Sequence, residues 1–200
     1  DEAAVLVTTK FSGKSGSEAR AREAIGRTYF GLGDLNNARL QLERAYALRC
    51  ETLGQNDPTT AHCAVALGAV TGVMGDPDQA AALYTQALAV FRSTYPPGHD
   101  ATISALCGLA GVEKDRQNFS TALELYREAM AFAKHRIDGL TPDDLRSMAS
   151  CAALLHWTGD NNAAQAQYDD VLPRMREQLG EDNPSTLEAE SGAAAVALSL

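Results

Sequence analysis

The sequence predicts an all-α protein, a solenoid of antiparallel helix pairs with about four full repeats and partial ends. Three observations carry this. Of 200 residues 45% are hydrophobic but only 6% aromatic. The apolar content is therefore mostly Ala and Leu, which favour helices packed through small side chains over strands rich in Val, Ile and aromatics. The chain also agrees with itself at many positions when shifted by 42 residues, the mark of a repeat architecture. Finally, each repeat carries the same two chain-breaking signals, one inside it and one at its end.

At that offset Gly33-Asp34 becomes Gly75-Asp76, Gln117-Asn118 and Gly159-Asp160. Four residues after each Asp or Asn stand Ala38, Ala80, Ala122 and Ala164. The same step links Leu42, Tyr84, Tyr126 and Tyr168, then Ala45, Ala87, Ala129 and Val171. Twelve positions before each recurrent alanine lies another small residue: Gly26, Gly68, Ala110, Ala152. The expected repeats are about 18–59, 60–101, 102–143 and 144–185, with a partial helix over 186–200 and a degenerate segment over 1–17, all in one domain.

Taken in order, each repeat reads as two helices. In the first, Gly33 can adopt the left-handed conformation that ends a helix and Asp34 can cap the next. The second shows the lengths: "TAHCAVALGAVTGVM" runs about 15 residues to Gly75 and "PDQAAALYTQALAVFRST" about 18 to Tyr95, roughly 22 and 27 Å at the helical rise. Pro77, directly after Asp76, suits a first helical turn. In the third repeat Gln117 replaces the glycine, at a cost of about 1 kcal/mol. In the fourth, Pro173 falls inside the long helix, where its ring should kink it. Repeats are joined by an end signal fused to a start signal: Leu53-Gly54 then Asp57-Pro58, and Leu179-Gly180 then Asn183-Pro184, each with a capping side chain before a first-turn proline. Thr141-Pro142 belongs to a worn copy of this motif, and His99-Asp100 is the exception. Leu187–Leu200 would be a fifth first-type helix without its mate, with an apolar face to be covered by further repeats or by a second copy. Ala3 and Leu6 align one period before Ala45 and Leu48, as the tail of an earlier helix.

The small residues supply the packing rule. Gly26 and Ala38, and their equivalents, would face each other where the two helices of a repeat cross, letting the axes approach to the short end of the usual separation. Tyr84, Tyr126 and Tyr168 recur at a core position. The pattern Ile25-Gly26-x-x-Tyr29, then Ala38, Leu42 and Ala45, resembles the tetratricopeptide repeat. The 42-residue period with Leu-Gly-x-x-x-Pro-x-Thr is similar to the kinesin-light-chain variety of it. The resemblance implies a right-handed superhelix whose first helices line a concave side that holds partners without transforming them.

The residues exclude several other functions. A formal net charge of −9 argues against nucleic acid and against a membrane surface, since phosphates are held by Lys and Arg. No apolar run reaches a membrane span, and the start lacks the flanks of a signal peptide. A cytoplasmic location is the default expectation, although targeting is not legible here. Cys50, Cys63, Cys107 and Cys151 sit inside apolar helical patterns and are expected as free, mostly buried thiols. "SGKSGS" at 12–17 lacks the earlier glycine and the preceding strand of a phosphate loop. His62, His99, His135 and His156 are scattered, so no metal is expected, no motif assembles a nucleophile with its base, and no cofactor is called for.

What remains is surface. By the resemblance, helical spacing from the small position selects Arg20, Glu23, Ala24, Arg27 and Phe30 in the first repeat and His62, Val65, Ala66 and Ala69 in the second. It selects Ser104, Cys107, Gly108, Gly111 and Lys114 in the third, then Arg146, Ala149, Ser150, Ala153, His156 and Trp157 in the fourth. The groove should be mildly apolar, with cations along it. Relatives that clasp extended peptides often carry asparagines here, where this chain has Glu23-Ala24, Val65-Ala66, Cys107-Gly108 and Ala149-Ser150. A helix or a folded partner suits these residues better than a clamped strand. Trp157 either anchors that partner or packs against the next repeat.

The expected function is a non-catalytic protein–protein interaction module, binding a protein or peptide in the groove. An alternative is a regulatory domain that senses a peptide or small effector. Arg over Lys and abundant Ala point to a GC-rich bacterial coding sequence. The stretch over residues 18–49 resembles the first repeats after the linker in bacterial receptor-type serine/threonine kinases and winged-helix regulators, hence a setting in a larger signalling protein. Self-association through the last helix is a further expectation.

Overall fold

The computed structural model describes residues 15–133 and 139–200. The readings placed on Ala3, Leu6, Lys14 and His135 fall outside them. Among the described residues the secondary structure is all helical: α1 (Ser15–Gly31), α2 (Leu35–Leu53), α3 (Pro58–Val73), α4 (Pro77–Thr94), α5 (Asp100–Asp115), α6 (Phe119–Ala133), α7 (Pro142–Trp157), α8 (Asn161–Leu179) and α9 (Pro184–Ala197). They form two compact units, α1–α4 up to Pro96 and α5–α9 from Pro97. Within each, successive helices alternate between a first type and a second type, and each second-type helix packs chiefly on its own first-type partner.

The hairpin turns share one geometry. Gly33, Gly75 and Gly159 have φ of 78°, 84° and 89°. Their N–H groups donate to carbonyls three residues back, and the next N–H donates to the carbonyl five back: Asp34 to Tyr29, Asp76 to Thr71 and Asp160 to Leu155. This Schellman closure satisfies the orphan carbonyls of the first helix. The same Asp side chains then accept from Asn37, Gln79 and Ala163 N–H and so cap the second helix. One residue therefore serves both helices.

The third hairpin keeps this closure with Gln117 at φ 63°, the one positive-φ residue other than glycine among the described residues. The cost of that conformation is met by a brace. Buried Glu113 accepts from the Arg116 guanidinium at 2.8 Å and from the Asn118 amide at 2.7 Å, gripping the turn on both sides of Gln117. Strained backbone persists where its surroundings over-determine it.

The repeat junctions follow the predicted chemistry. Asp57 accepts from Thr59 and Thr60 N–H, Asn183 from Ser185 N–H, and Thr141 forms a reciprocal capping box with Asp144. The expected exception at His99 plays the same role with different atoms: its Nδ1 accepts from Ala101 N–H at 3.2 Å and caps α5. Gly54 and Gly180 end α2 and α8 at φ 86° and 98°. α8 remains one helix through Pro173.

The small-residue rule appears as steric necessity. A Cβ on Gly26 would lie 2.7 Å from Leu42 Cγ, and one on Gly68 would lie 3.2 Å from the Tyr84 ring. Ala38, Ala80, Ala110, Ala122, Ala152 and Ala164 are all fully buried. Tyr168 works between repeats: its hydroxyl would stand 2.2 Å from a Cβ on Gly192 of α9. On α9 Leu187 is exposed, whereas Leu145, one period earlier, is fully buried.

Two substitutions test these points by thermal melting. Ala122→Leu overpacks a closed crossing and should destabilise by roughly 1 to 3 kcal/mol, lowering the Tm by several degrees; an unchanged Tm would refute the crossing. Gln117→Gly should raise stability by about 1 kcal/mol by removing left-handed strain.

Candidate functional site

In the first unit the predicted surface residues are largely engaged with their own fold. The Glu23 carboxylate meets Arg27 at 3.1 Å and Arg49 at 2.6 Å, with its side chain only 14% exposed. Arg49 also donates to the Thr59 carbonyl, tying α2 to α3. The His62 ring packs on Phe91 and Tyr95, with centroids 4.8 and 6.2 Å apart. Phe30 and Val65 are half-buried. Arg20 is exposed and lines a depression of about 400 Å³ with Arg49 and Thr59.

The second unit brings its predicted residues together. Lys114 of α5 and Ala153 of α7 line two adjoining basins. The first, about 370 Å³, adds Arg146, Ala149 and Ser150 of α7, Tyr168 and Met175 of α8, and Ser185, Glu188 and Gly192 of α9. The second, about 490 Å³, adds Gln117, Phe119, Leu154 and Trp157. Trp157 is 78% exposed. It meets Phe119 with centroids 6.4 Å apart, so packing against the next repeat is not what this ring does. Ser104 is exposed and Cys107 half-buried, and neither lines a basin. The His156 imidazole is bonded to Asn161 Oδ1 at 2.7 Å and braces the turn between α7 and α8.

Small side chains open this surface. Ala149, Ala153 and Trp157 lie four residues apart on one face of α7, so a bare strip leads to an aromatic end. Lys114 reaches its nearest acid, Asp115, only at 4.0 Å, while Arg146 is bound to Asp143 and to the Ser185 hydroxyl at 3.3 Å. Burial, with the charge of Glu188 beside it, pushes the Tyr168 phenol up. The lining mixes apolar contact area with a few polar groups, as binding sites do. Among the described residues no three His, Cys, Asp or Glu side chains gather as a metal would need, and no helix is long and apolar enough to cross a membrane.

Several lining residues escaped the sequence reading. Glu188 and Gly192 occupy the registers of Arg146 and Ser150 one period of 42 residues on. Carrying the offset into the last helix would have found them. Phe119 begins a second-type helix, whereas the candidate residues were taken from first-type helices alone.

All four cysteines are free, but only Cys63 and Cys151 are buried, while Cys50 and Cys107 are half-buried. Burial pushes the Cys63 thiol up to about 12 and those of Cys107 and Cys151 to about 11.

This architecture defines a class, the α-solenoids built of helix hairpins. Tetratricopeptide-repeat family models match residues 19–59 and 57–135, and the chain belongs to the tetratricopeptide-repeat family. In fold it is a kinesin-light-chain-like solenoid. The nearly identical TPR-like repeats of a Podosopora anserina protein of kinesin-light-chain type are 22% identical, with a TM-score of 0.72 over 88% of this chain and 84% of that one. BtubC (BKLC) of P. vanneervenii is 19% identical, with a TM-score of 0.78 over 98% and 79%. YrrB, a TPR protein with an unusual peptide-binding site, is 17% identical, with a TM-score of 0.57 over 97% and 93%. Among curated proteins nothing matches. The family's members are protein–protein or peptide interaction modules and are generally non-catalytic.

The raised thiols predict slow alkylation. Only the thiolate reacts, and a thiol at about 11 is roughly 0.1% ionised at pH 8. Iodoacetamide at that pH should label Cys63, Cys107 and Cys151 far more slowly in the native chain than in denaturant, as read by mass spectrometry. Equal rates would overturn the assigned burial.

Proposed function

We propose that this protein is a non-catalytic interaction module of a larger bacterial signalling or regulatory protein, and that its partner docks on the first-type helices of the second unit. The observation that carries the reading is the gathering of Lys114, Arg146, Ala149, Ala153 and Trp157 around two adjoining basins, with Trp157 exposed. A large exposed aromatic beside a bare strip is the form of an interface anchor. The peptide-binding site of YrrB, in a chain of the same fold, lends the reading support. In the first unit the corresponding registers, Arg20, Glu23, Arg27, Phe30, His62 and Val65, are that unit's own candidate contact residues. The bacterial setting rests on the Arg and Ala bias of the sequence.

A second reading, a regulatory domain sensing a small effector, is favoured by the basin of about 370 Å³ with its mixed polar rim. A saturable rise in Tm with a small molecule, and no captured protein, would select it.

Affinity capture tests the leading reading. Trp157→Ala and Arg146→Glu, both at exposed positions, should keep the helical content by far-UV circular dichroism with at most a small fall in Tm, since Arg146 gives up only surface bonds to Asp143 and Ser185, and should reduce capture of the wild-type partners about tenfold or more. Equal capture by wild type and the double variant would place the docking site elsewhere.

A further inference from the structure

We infer that α9 pairs with α9 of a second copy of this chain, antiparallel about a two-fold axis between Gly192 and Ala193, with Leu187 of each copy seated against Leu198 of the other. The contact uses the open side of α9 and does not rest on the basins.

The contact follows from a face left open where earlier repeats close it. One, two, three and four periods before Leu187 stand Leu145, Ile103, Ala61 and Ala19, none more than 4% exposed, whereas Leu187 is 50% exposed. Seven residues on, Ala194 is exposed as well. At its register Ala152 and Ala110 are 0% exposed, and Gly26 and Gly68 lie under Leu42 and Tyr84. In each complete repeat a second helix packs antiparallel on the first. Among the described residues α9 has no second helix. It buries Thr186, Ala189 and Val196 and packs on α7 and α8, which leaves the opposite side open.

The order of side chains on that side names the occupant. Leu187, Ser191, Ala194 and Leu198 follow one another at intervals of four, three and four residues and are all exposed, so they form one stripe along the helix. The stripe reads large, small, small, large from either end. An antiparallel copy therefore sets leucine against leucine at both ends and Ser191 against Ala194 twice in the middle, the self-complementary contact of a two-fold dimer. Small central residues let the axes approach, and the intervals are those of a seam between two helices. Ser191 is the one polar member, and a helical serine hydroxyl can turn back to the carbonyl four residues earlier when water is excluded.

Charge selects the direction. Glu188 and Glu190 flank the first half of the stripe, Glu190 held by Arg176 at 2.8 Å. Ala195, Ala197 and Ser199 flank the second half. Antiparallel copies lay each acidic half beside an uncharged one and oppose the two helix dipoles, whereas parallel copies would gather four carboxylates at one end. The net charge of −9 opposes association at long range. One helix on one helix is also a small interface. The dimer is accordingly weak and should strengthen as salt screens that repulsion.

Sedimentation equilibrium of the whole chain, from micromolar to near-millimolar concentration, tests this. We expect a monomer–dimer equilibrium that shifts toward dimer with added salt. Leu187→Glu, at an exposed position, should keep the circular dichroism of the dilute chain and weaken the dimer about tenfold or more. Trp157→Ala should leave dimerisation unchanged, which separates this contact from the partner face of α7. Mixed chains carrying Leu187→Cys and Leu198→Cys should form a disulfide between positions 187 and 198 of different copies, mapped by mass spectrometry against oxidised wild type. Neither variant alone should bridge to itself, because equal positions would stand about 16 Å apart along the pair. A monomer at every concentration, a dimer indifferent to Leu187→Glu, loss of the dimer with Trp157→Ala, or bridging of either position to itself would each overturn the inference.

Discussion

The closeness of the two helices within each repeat is the constraint on which the rest depends. Where Leu42 lies over Gly26 there is no room for a single added carbon, which would meet Leu42 Cγ at 2.7 Å, on a branched side chain that is fully buried. Tyr84 over Gly68 repeats the arrangement with a larger ring and slightly more space. Interiors packed to crystal density respond to one methylene. The recurrence of Gly or Ala at these crossings therefore fixes helix separation, and separation fixes how the next repeat can stack. Tyr168 carries the same logic across a junction, since its hydroxyl occupies the space a side chain on Gly192 would need.

Much of this was legible in residue spacing because the deciding interactions are local. A left-handed glycine followed by an aspartate closes one helix and caps the next within six residues, so Gly33-Asp34, Gly75-Asp76 and Gly159-Asp160 could be read without tertiary context. His99 could not, because an imidazole caps only in a tautomer with a bare Nδ1 turned toward Ala101. The brace at Gln117 was equally hidden. Glu113 reads as an ordinary helical acid, and its grip on Arg116 and Asn118 appears only when the turn is built.

The candidate site was legible in part, for a related reason. The repeat offset tells which residues share a register but not whether each is consumed by its own fold. Glu23 and Lys114 both carried the marks of a groove residue. Yet Glu23 is taken up by two arginines, one of them Arg49 from the following helix, while Lys114 keeps only a distant contact with its sequence neighbour. Phe119 was missed because it enters the basin from the start of a second-type helix, where periodicity assigns a core or outer position.

The difference between α1 and α7 follows from side-chain size on one helical face. In α1 the two registers carry Glu23 and Arg27, which pair with each other and, through Glu23, with Arg49; α3 carries Val65 and Ala69 there, with His62 one turn earlier packed on Phe91 and Tyr95. In α7 the same registers carry Ala149 and Ala153, half-buried side chains too short to fill the space above them, which stays open until Trp157 closes the strip. An aromatic ring flanked by such space loses contact area to water that a partner could restore, and large aromatic surfaces dominate the energetics of recognition. A shared fold thus yields a self-satisfied face at α1 and an open one at α7. Side-chain volume at those few positions, more than the shared fold, decides where this chain can hold another.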